Sequence, residues 1–493
     1  MKWLLALLLV GCAENAVVIS PVIDVPANDN ASAFPLDQLV LAVAHAGDSA
    51  DLVSQTFSTG QHVSLPGVPF GDDLVIHMTG SVGSSEVAYG RSCKIAVNAS
   101  EAPSPHLFFS RSVKFADLDL PTPPEARMDG RTITDVDGAG IVLGGFDPKT
   151  TQPIPDVERF DPQTGALTTL ATLTPRTGAV AASLGVGGDT RIALIGGMDP
   201  ATGAGAAFVE LIEPDAPISR RVERIDDAQM ARIGLTATAL TDGRVIAIGG
   251  LDGTTPSAAV DEISIDSGTA AIRVLRALLG TPRSSHTATR LGDDVGAAVL
   301  VAGGLDATGA VVKPAELFKP LSESFSMTLY AMNTPRFDHK AVLMPDGSVL
   351  IIGGINIDST NGMRTPVATL ELFTLDAGFL PVADSNHIPI PLPTNAGLID
   401  FAATPLPDGR VLLTGGRRCE DVTDPACAPL DTAFIARLDP IDGSVDVVAT
   451  DHMSVPRAGH SATLLCDGTV LITGGTTDIV PAARYNPPAL GRR

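Results

Sequence analysis

The sequence predicts an all-β protein, and three observations carry the prediction. The 493 residues include 49 glycines and 38 prolines, yet 44% of the chain is hydrophobic and 18% charged. That is turn-rich without the low hydrophobicity of a disordered chain. A short apolar run ending in Gly-Gly recurs seven times, its second glycine at Gly145, Gly197, Gly250, Gly304, Gly354, Gly416 and Gly475. In five repeats an Asp-Gly lies just upstream, at Asp137-Gly138, Asp242-Gly243, Asp346-Gly347, Asp408-Gly409 and Asp467-Gly468. Asp-Gly between two apolar runs is the signal of a tight hairpin, because both central residues must take positive φ.

Each repeat continues alike. The apolar run, such as Val299 to Ala302 or Val349 to Ile352, reads as a buried second strand. A variable loop follows, then a third strand such as Val157 to Phe160 before Asp161-Pro162, or Ala315 to Phe318 before Lys319-Pro320. A fourth strand, such as Ala166 to Leu170, leads to Pro-Arg and the next repeat. Four strands repeated seven times predict a seven-bladed β-propeller over residues 106–493. The last repeat is short by one strand. Residues 107–118 (LFFSRSVKFADL) are expected to supply it, since a bare sheet edge invites unwanted pairing.

The Gly-Gly pair and the aromatic-Asp-Pro strand resemble the Kelch repeat. Departures are visible: the only Trp is Trp3, and the aromatic weakens to Ile212, Ile265 and Leu438. The resemblance implies protein or glycan ligands. Some Kelch-type propellers are copper-radical oxidases such as galactose oxidase, which hold copper on tyrosines and histidines with a modified Tyr–Cys pair. This chain has only Tyr89, Tyr330 and Tyr485. The sequence supports neither a metal site nor a cofactor.

Residues 34–104 carry apolar runs at Leu39 to Ala44, His62 to Leu65, Leu74 to Met78 and Cys93 to Val97. Turn residues separate them, which predicts a small β-sandwich of immunoglobulin or transthyretin type. Residues 12–33 are polar and read as a tether. Residues 1–11 read as a secretory signal: Lys2 precedes an apolar run, Trp3 to Val10, too short to span a bilayer. Leu9-Val10-Gly11-Cys12 resembles the lipobox of bacterial lipoproteins. The resemblance implies lipid (palmitate) on Cys12 and a membrane attachment. With Ala13 next, it implies the outer membrane or cell surface of a double-membraned bacterium.

With Lys+Arg 33 and Asp+Glu 56 the net charge is −23, which disfavours nucleic acid as a partner. Exported cysteines suggest disulfides, and Cys419 and Cys427, flanking one acidic loop, are expected to pair. Cys466 in an apolar run reads as a buried thiol, and Cys93 has no obvious partner.

Arginine recurs at one place in six repeats: Arg127, Arg176, Arg232, Arg283, Arg336 and Arg457, with Leu398 in the sixth. Glu158, Glu210, Glu262, Glu316 and Glu371 recur on the third strands, so Arg–Glu pairing is the expected use. His286, His339 and His460 each follow an arginine by three residues and are expected to fill packing between sheets rather than to bind metal. The longest loops, Asn356 to Thr365, Asn386 to Asn395 and Arg417 to Pro429, make the candidate binding face. Its candidate ligand contacts are Asn356, Asp358, Asn361, Arg417, Arg418, Glu420, Asp421 and Asp424. No catalytic residue stands out. The function expected is that of a monomeric binding or scaffold module for protein or glycan, the alternative a hydrolase or oxidase acting on polysaccharide.

Overall fold

The computed structural model describes residues 16–487, apart from 27–34, 49, 59, 100–102, 122–123, 380–387, 390–396, 420–421, 423–426, 440–443, 477 and 479–481. The chain divides into two compact units, Met1–Ser112 with Pro488–Arg493, and Val113–Pro487.

In the first unit, Gln38–His45 pairs antiparallel with Asp51–Phe57 on one side and Gly71–Val82 on the other. Ser85–Arg91, Ser110–Arg111 and Ile95–Val97 complete a six-stranded sheet. Alternation sends Leu41 and Val43, with Leu74, Ile76 and Met78, into one core with Phe57, Leu107 and Phe109. The stretch read as a tether contains two strands. Ala16–Ile19 pairs with Leu65–Pro69, and Val22–Asp24 lies parallel to His106–Phe108. Ile19 is fully buried. One six-stranded sheet with two small pairs replaces the immunoglobulin- or transthyretin-like sandwich expected from the sequence.

The second unit is a succession of antiparallel meanders. The first consists of Arg131–Thr134, Gly140–Leu143, Asp156–Asp161 and Ala166–Thr172. The next five begin with Val180–Leu184, Thr236–Ala239, Thr287–Arg290, Lys340–Leu343 and Ala402–Pro405. The last joins Ser461–Leu464, Val470–Thr473 and Ala483–Asn486 to Lys114–Asp117, which pairs in register from Lys114↔Asn486 to Asp117↔Ala483. Phe115 thereby covers Tyr485, their ring centroids 4.8 Å apart.

The second strands are buried throughout, as in Val299–Ala302 and Val349–Ile352, except at half-buried Arg191. Both of their faces are covered because the sheets stack. Ala182, Ile195 and Val209 of the second sheet meet Val245, Ala247 and Ile263 of the third, and Phe160 of the first meets Leu465 and Leu471 of the last.

The strand ladders stop at the limits of each sheet. Among the described residues the sheets are separate and open, and none closes or curls on itself. The seven-bladed Kelch-like propeller expected from the repeat is corrected accordingly to an all-β stack of small antiparallel sheets.

Candidate functional site

The recurring arginines are buried and spent on structure. Arg283 Nη2 donates to Glu316 at 2.6 Å and Arg336 Nη2 to Glu371 at 2.7 Å. Arg127 meets Glu158 at 3.3 Å and Arg176 meets Glu210 at 3.2 Å. Arg232 takes Asp261 instead of the expected Glu262, which pairs with Arg244 and Arg273. Most of these guanidinium groups also bind the carbonyl of the first glycine of the Gly-Gly pair, as Arg336 does at Gly353 (3.0 Å) and Arg457 at Gly474 (2.6 Å). Each arginine thus ties the entrance of its sheet to the end of that sheet's second strand.

The three histidines lie between sheets. His286 Nε2 is 3.1 Å from the Thr236 hydroxyl, His339 Nε2 2.8 Å from Thr287, and His460 Nε2 2.8 Å from Thr414. Burial holds all three neutral. It lowers His286 and His460 to about 3 and His339 well below its ordinary value, with the adjacent arginines adding to the effect.

A different constellation was not read from the sequence. Two residues after each arginine position the backbone turns left-handed. Asp129, Ser285, Asp338 and Asp400 have φ of 54°, 54°, 49° and 55°, and Gly178, Gly234 and Gly459 occupy the same place with φ of 68°, 66° and 65°. Backbone hydrogen bonds link these turns across sheets. Ser285 N donates to Gly234 O (3.1 Å), Asp338 N to Ser285 O (3.0 Å), Gly459 N to Asp400 O (2.8 Å) and Asp129 N to Gly459 O (2.8 Å). Non-glycine residues are rare in this region and concentrate at functional positions.

The linkage brings three carboxyls, Asp129, Asp338 and Asp400, within electrostatic reach of one another and of Lys340 and Arg131. The aspartates are solvent-exposed, and Lys340 is half-buried. Even so, dense surrounding protein penalises charge, as in a cleft. Burial raises the Asp129 carboxyl against the pull of Arg131, with Asp400 adding repulsion. Burial also raises Asp338, opposed by the Ser285 hydroxyl and Lys340 and reinforced by Asp400 and Asp129. Lys340 is lowered by its own burial and by Arg131. Arg417 Nε stands 3.2 Å from Asp400 Oδ2, and its Nη1 donates to Cys427 O at 3.2 Å.

Of the expected ligand contacts among the described residues, Arg417 joins this cluster. Arg418 is exposed on the same strand, Arg417–Cys419. Asn356, Asp358 and Asn361 accept hydrogen bonds from backbone N–H groups of their own turn, at Ile357, Thr360 and Met363. Glu420, Asp421, Asp424 and Cys12 lie outside the described residues. Cys419 and Cys427 are joined by a disulfide. Cys466 is disulfide-bonded as well and is not the free thiol expected. The signal that could have found the cluster is the column two residues after the arginines, where Gly alternates with Asp and Ser. Those are residue types that tolerate left-handed backbone.

No family model and no curated relative matches the chain. A solved structure described as a novel fungal alcohol oxidase with catalytic diversity among the AA5 family, in complex with copper, is similar in fold. It is 15% identical over 76% of each chain, with a TM-score of 0.52. A second, described as the structure of YjhT, is 12% identical over 74% of this chain and 95% of that one, with a TM-score of 0.41. At such identities the likeness concerns fold alone.

These findings correct three expectations. The Kelch and lipoprotein assignments have no family or relative behind them and are withdrawn. The binding or scaffold reading gives way with the propeller scaffold it rested on, and Asn356, Asp358 and Asn361, chosen for a binding face, serve their own turns. Among the described residues the tyrosines do not gather as that copper chemistry requires. Tyr485 is buried against Phe115, Tyr330 is exposed, and Tyr89 lies in the first unit. Among the described residues no group of three metal-ligating side chains converges. No described helix is long and apolar enough to cross a membrane.

Proposed function

We propose that the second unit is a hydrolase acting on polysaccharide, with Asp129, Asp338 and Asp400 as its carboxyl machinery. The observation that carries this reading is a cluster of exposed aspartates on left-handed turns, two of them, Asp129 and Asp338, with carboxyls raised by burial and by the charge of Asp400. Acetal cleavage needs one carboxyl that keeps its proton at working pH and one that is ionised. Asp338, oriented by the Ser285 hydroxyl and flanked by two carboxylates, fits the proton donor to the leaving oxygen. Asp400, ion-paired with Arg417, fits the carboxylate that activates water or attacks the anomeric carbon. Lys340 offsets the negative charge of the cluster and keeps the three side chains together.

The test is release of reducing ends from a panel of neutral and acidic polysaccharides, with Asp338→Asn and Asp400→Asn beside the wild type. Asn tolerates the left-handed backbone, so the fold is kept. Each variant is expected to lose about 10²–10⁴-fold in rate. Wild-type protein inert on every polysaccharide, or variants as active as wild type, would overturn the reading.

A further inference from the structure

The sixth sheet lacks the arginine that the other six carry at their entrance. Leu398 stands in its place, and Phe434 lies opposite Leu413 where Glu371 lies opposite Ile351 in the fifth sheet. Both side chains are buried in one apolar core, which fills space but anchors no backbone carbonyl. The entrance is also held less closely to the sheet before it. Elsewhere the second glycine of a Gly-Gly pair donates its N–H to the carbonyl at the following arginine position at 2.7–3.1 Å, but Gly354 N reaches Leu398 O at 3.4 Å. This entrance is the one that carries Asp400.

A different device holds it. Gly397–Ile399 pairs antiparallel with Arg417–Cys419, Ile399 opposite Arg417 and Gly397 opposite Cys419. The Cys419–Cys427 disulfide closes a loop over a separation of eight residues, and Pro429 bridges back to Arg417. Cys427 O is thereby set beside the guanidinium. Arg417 Nη1 donates to it at 3.2 Å, and Arg417 Nε stands 3.2 Å from Asp400 Oδ2. In five other sheets the residue after Gly-Gly is apolar: Phe146, Met198, Leu251, Leu305 and Ile355. Arg417 therefore belongs to this device and not to the repeat.

We propose that the Cys419–Cys427 disulfide is a redox-sensitive clamp that positions Asp400 through Arg417. Its effect on turnover rests on the hydrolytic reading; its effect on the backbone does not. A planar guanidinium shared between a fixed carbonyl and a carboxylate orients that carboxylate. A dithiol reductant opens the clamp. Its thiolate attacks the half-buried Cys427 sulfur, and Cys419 leaves as a thiolate and takes up a proton. The reductant's second thiol then displaces Cys427 as a thiol, so two electrons pass to the cysteines and the reductant ends as a disulfide. Cys427 O is then no longer fixed, and Asp400 loses its orienting partner.

The test uses the full chain, with Cys419→Ser/Cys427→Ser standing for the reduced state and leaving Cys466 as it is. Gly459 N donates to Asp400 O at 2.8 Å, and Gly304 N to Arg336 O at 3.1 Å in the fourth sheet. In the double variant, amide exchange read by mass spectrometry should be at least about tenfold faster in peptides holding Gly459 and unchanged in those holding Gly304. On a polysaccharide that wild type cleaves, kcat should fall at least about tenfold with KM unchanged. Dithiothreitol should bring wild type to the same rate. Arg417→Met should match the double variant, and Arg417→Lys, which keeps the charge but not the fork, should fall between Met and wild type. Unchanged exchange at Gly459 would overturn the clamp. Faster exchange with kcat unaltered, or Lys as good as Arg, would overturn its control of Asp400. A wild type inert on every polysaccharide would overturn the hydrolytic reading instead and leave the exchange result to decide the clamp.

Discussion

His339 lies directly beneath Gly303. A β-carbon built on Gly303 would stand 2.7 Å from His339 Cε1 and closer still to Arg336 O, and Gly303 has φ +66°. The first glycine of every Gly-Gly pair except Gly144 thus makes room for the entrance of the following sheet. Gly303→Ala should therefore cost about 3 kcal/mol in chemical denaturation, from clash and backbone strain together. Gly268→Ala, at φ +78° with nothing within 4 Å of the new carbon, should cost about 1 kcal/mol. Equal losses at the two positions would show that packing between sheets is not what the pair provides.

Acid should dismantle the second unit. His286 and His460 titrate at about 3 when folded, against 6.5 for a free imidazole. Their folded values are depressed, so the unfolded chain binds more protons between those limits. The stability they leave intact at neutral pH is lost as pH falls from about 6.5 toward 3. The groups facing them are Arg283 and Arg232 for His286, and Arg457 and Lys340 for His460, all cationic. His286→Phe borrows the residue type that the sixth sheet uses at Phe401. The variant should lose less stability than wild type between pH 7 and pH 4.5 in urea titrations. An unchanged pH profile would remove the imidazole from the account.

Removing one partner of a buried ion pair strands the other. Arg336 is fully buried, and Glu371 accepts from it at 2.7 Å as well as from Asn333 N and Thr334 N. Glu371→Ala should cost about 3–5 kcal/mol, and Glu371→Gln distinctly less. Thermal melting of the two variants measures the difference.

The aspartate cluster should trade stability for chemistry. Asp338 is raised in the folded state, so its contribution is complete at low pH and is lost as pH rises through the folded value. At pH 8 Asp338→Asn should therefore raise the melting temperature while abolishing turnover, and at pH 3 the two proteins should melt alike. If Asp338 were instead a structural ion-pair partner of Lys340, the variant would melt lower at pH 8.

The strand Lys114–Asp117 should be indispensable to the unit it completes. A chain beginning at residue 119 lacks that strand and leaves Ala483–Asn486 as an open edge, with Tyr485 uncovered. It should aggregate or melt well below a chain beginning at residue 113. Light scattering and melting curves distinguish the outcomes.

The strands, their tight turns and their sevenfold recurrence could be read from the chain because each depends on neighbours in sequence. Only the glycine of each Asp-Gly takes positive φ, at Gly138, Gly243, Gly347, Gly409 and Gly468, and not both residues as expected; the runs before Gly-Gly need burial on both faces. The use of Arg283 and Arg336 against Glu316 and Glu371 followed from the same regularity. Other features depended on placement in space. Arg232 chooses Asp261 over Glu262, and Asp129, Asp338 and Asp400 converge from three sheets far apart in the chain. Spacing marks the column two residues after the arginines, but not which of its members meet. Their ionisation and pairing come from charges and burial supplied by other sheets, and those neighbours exist only once the sheets have stacked.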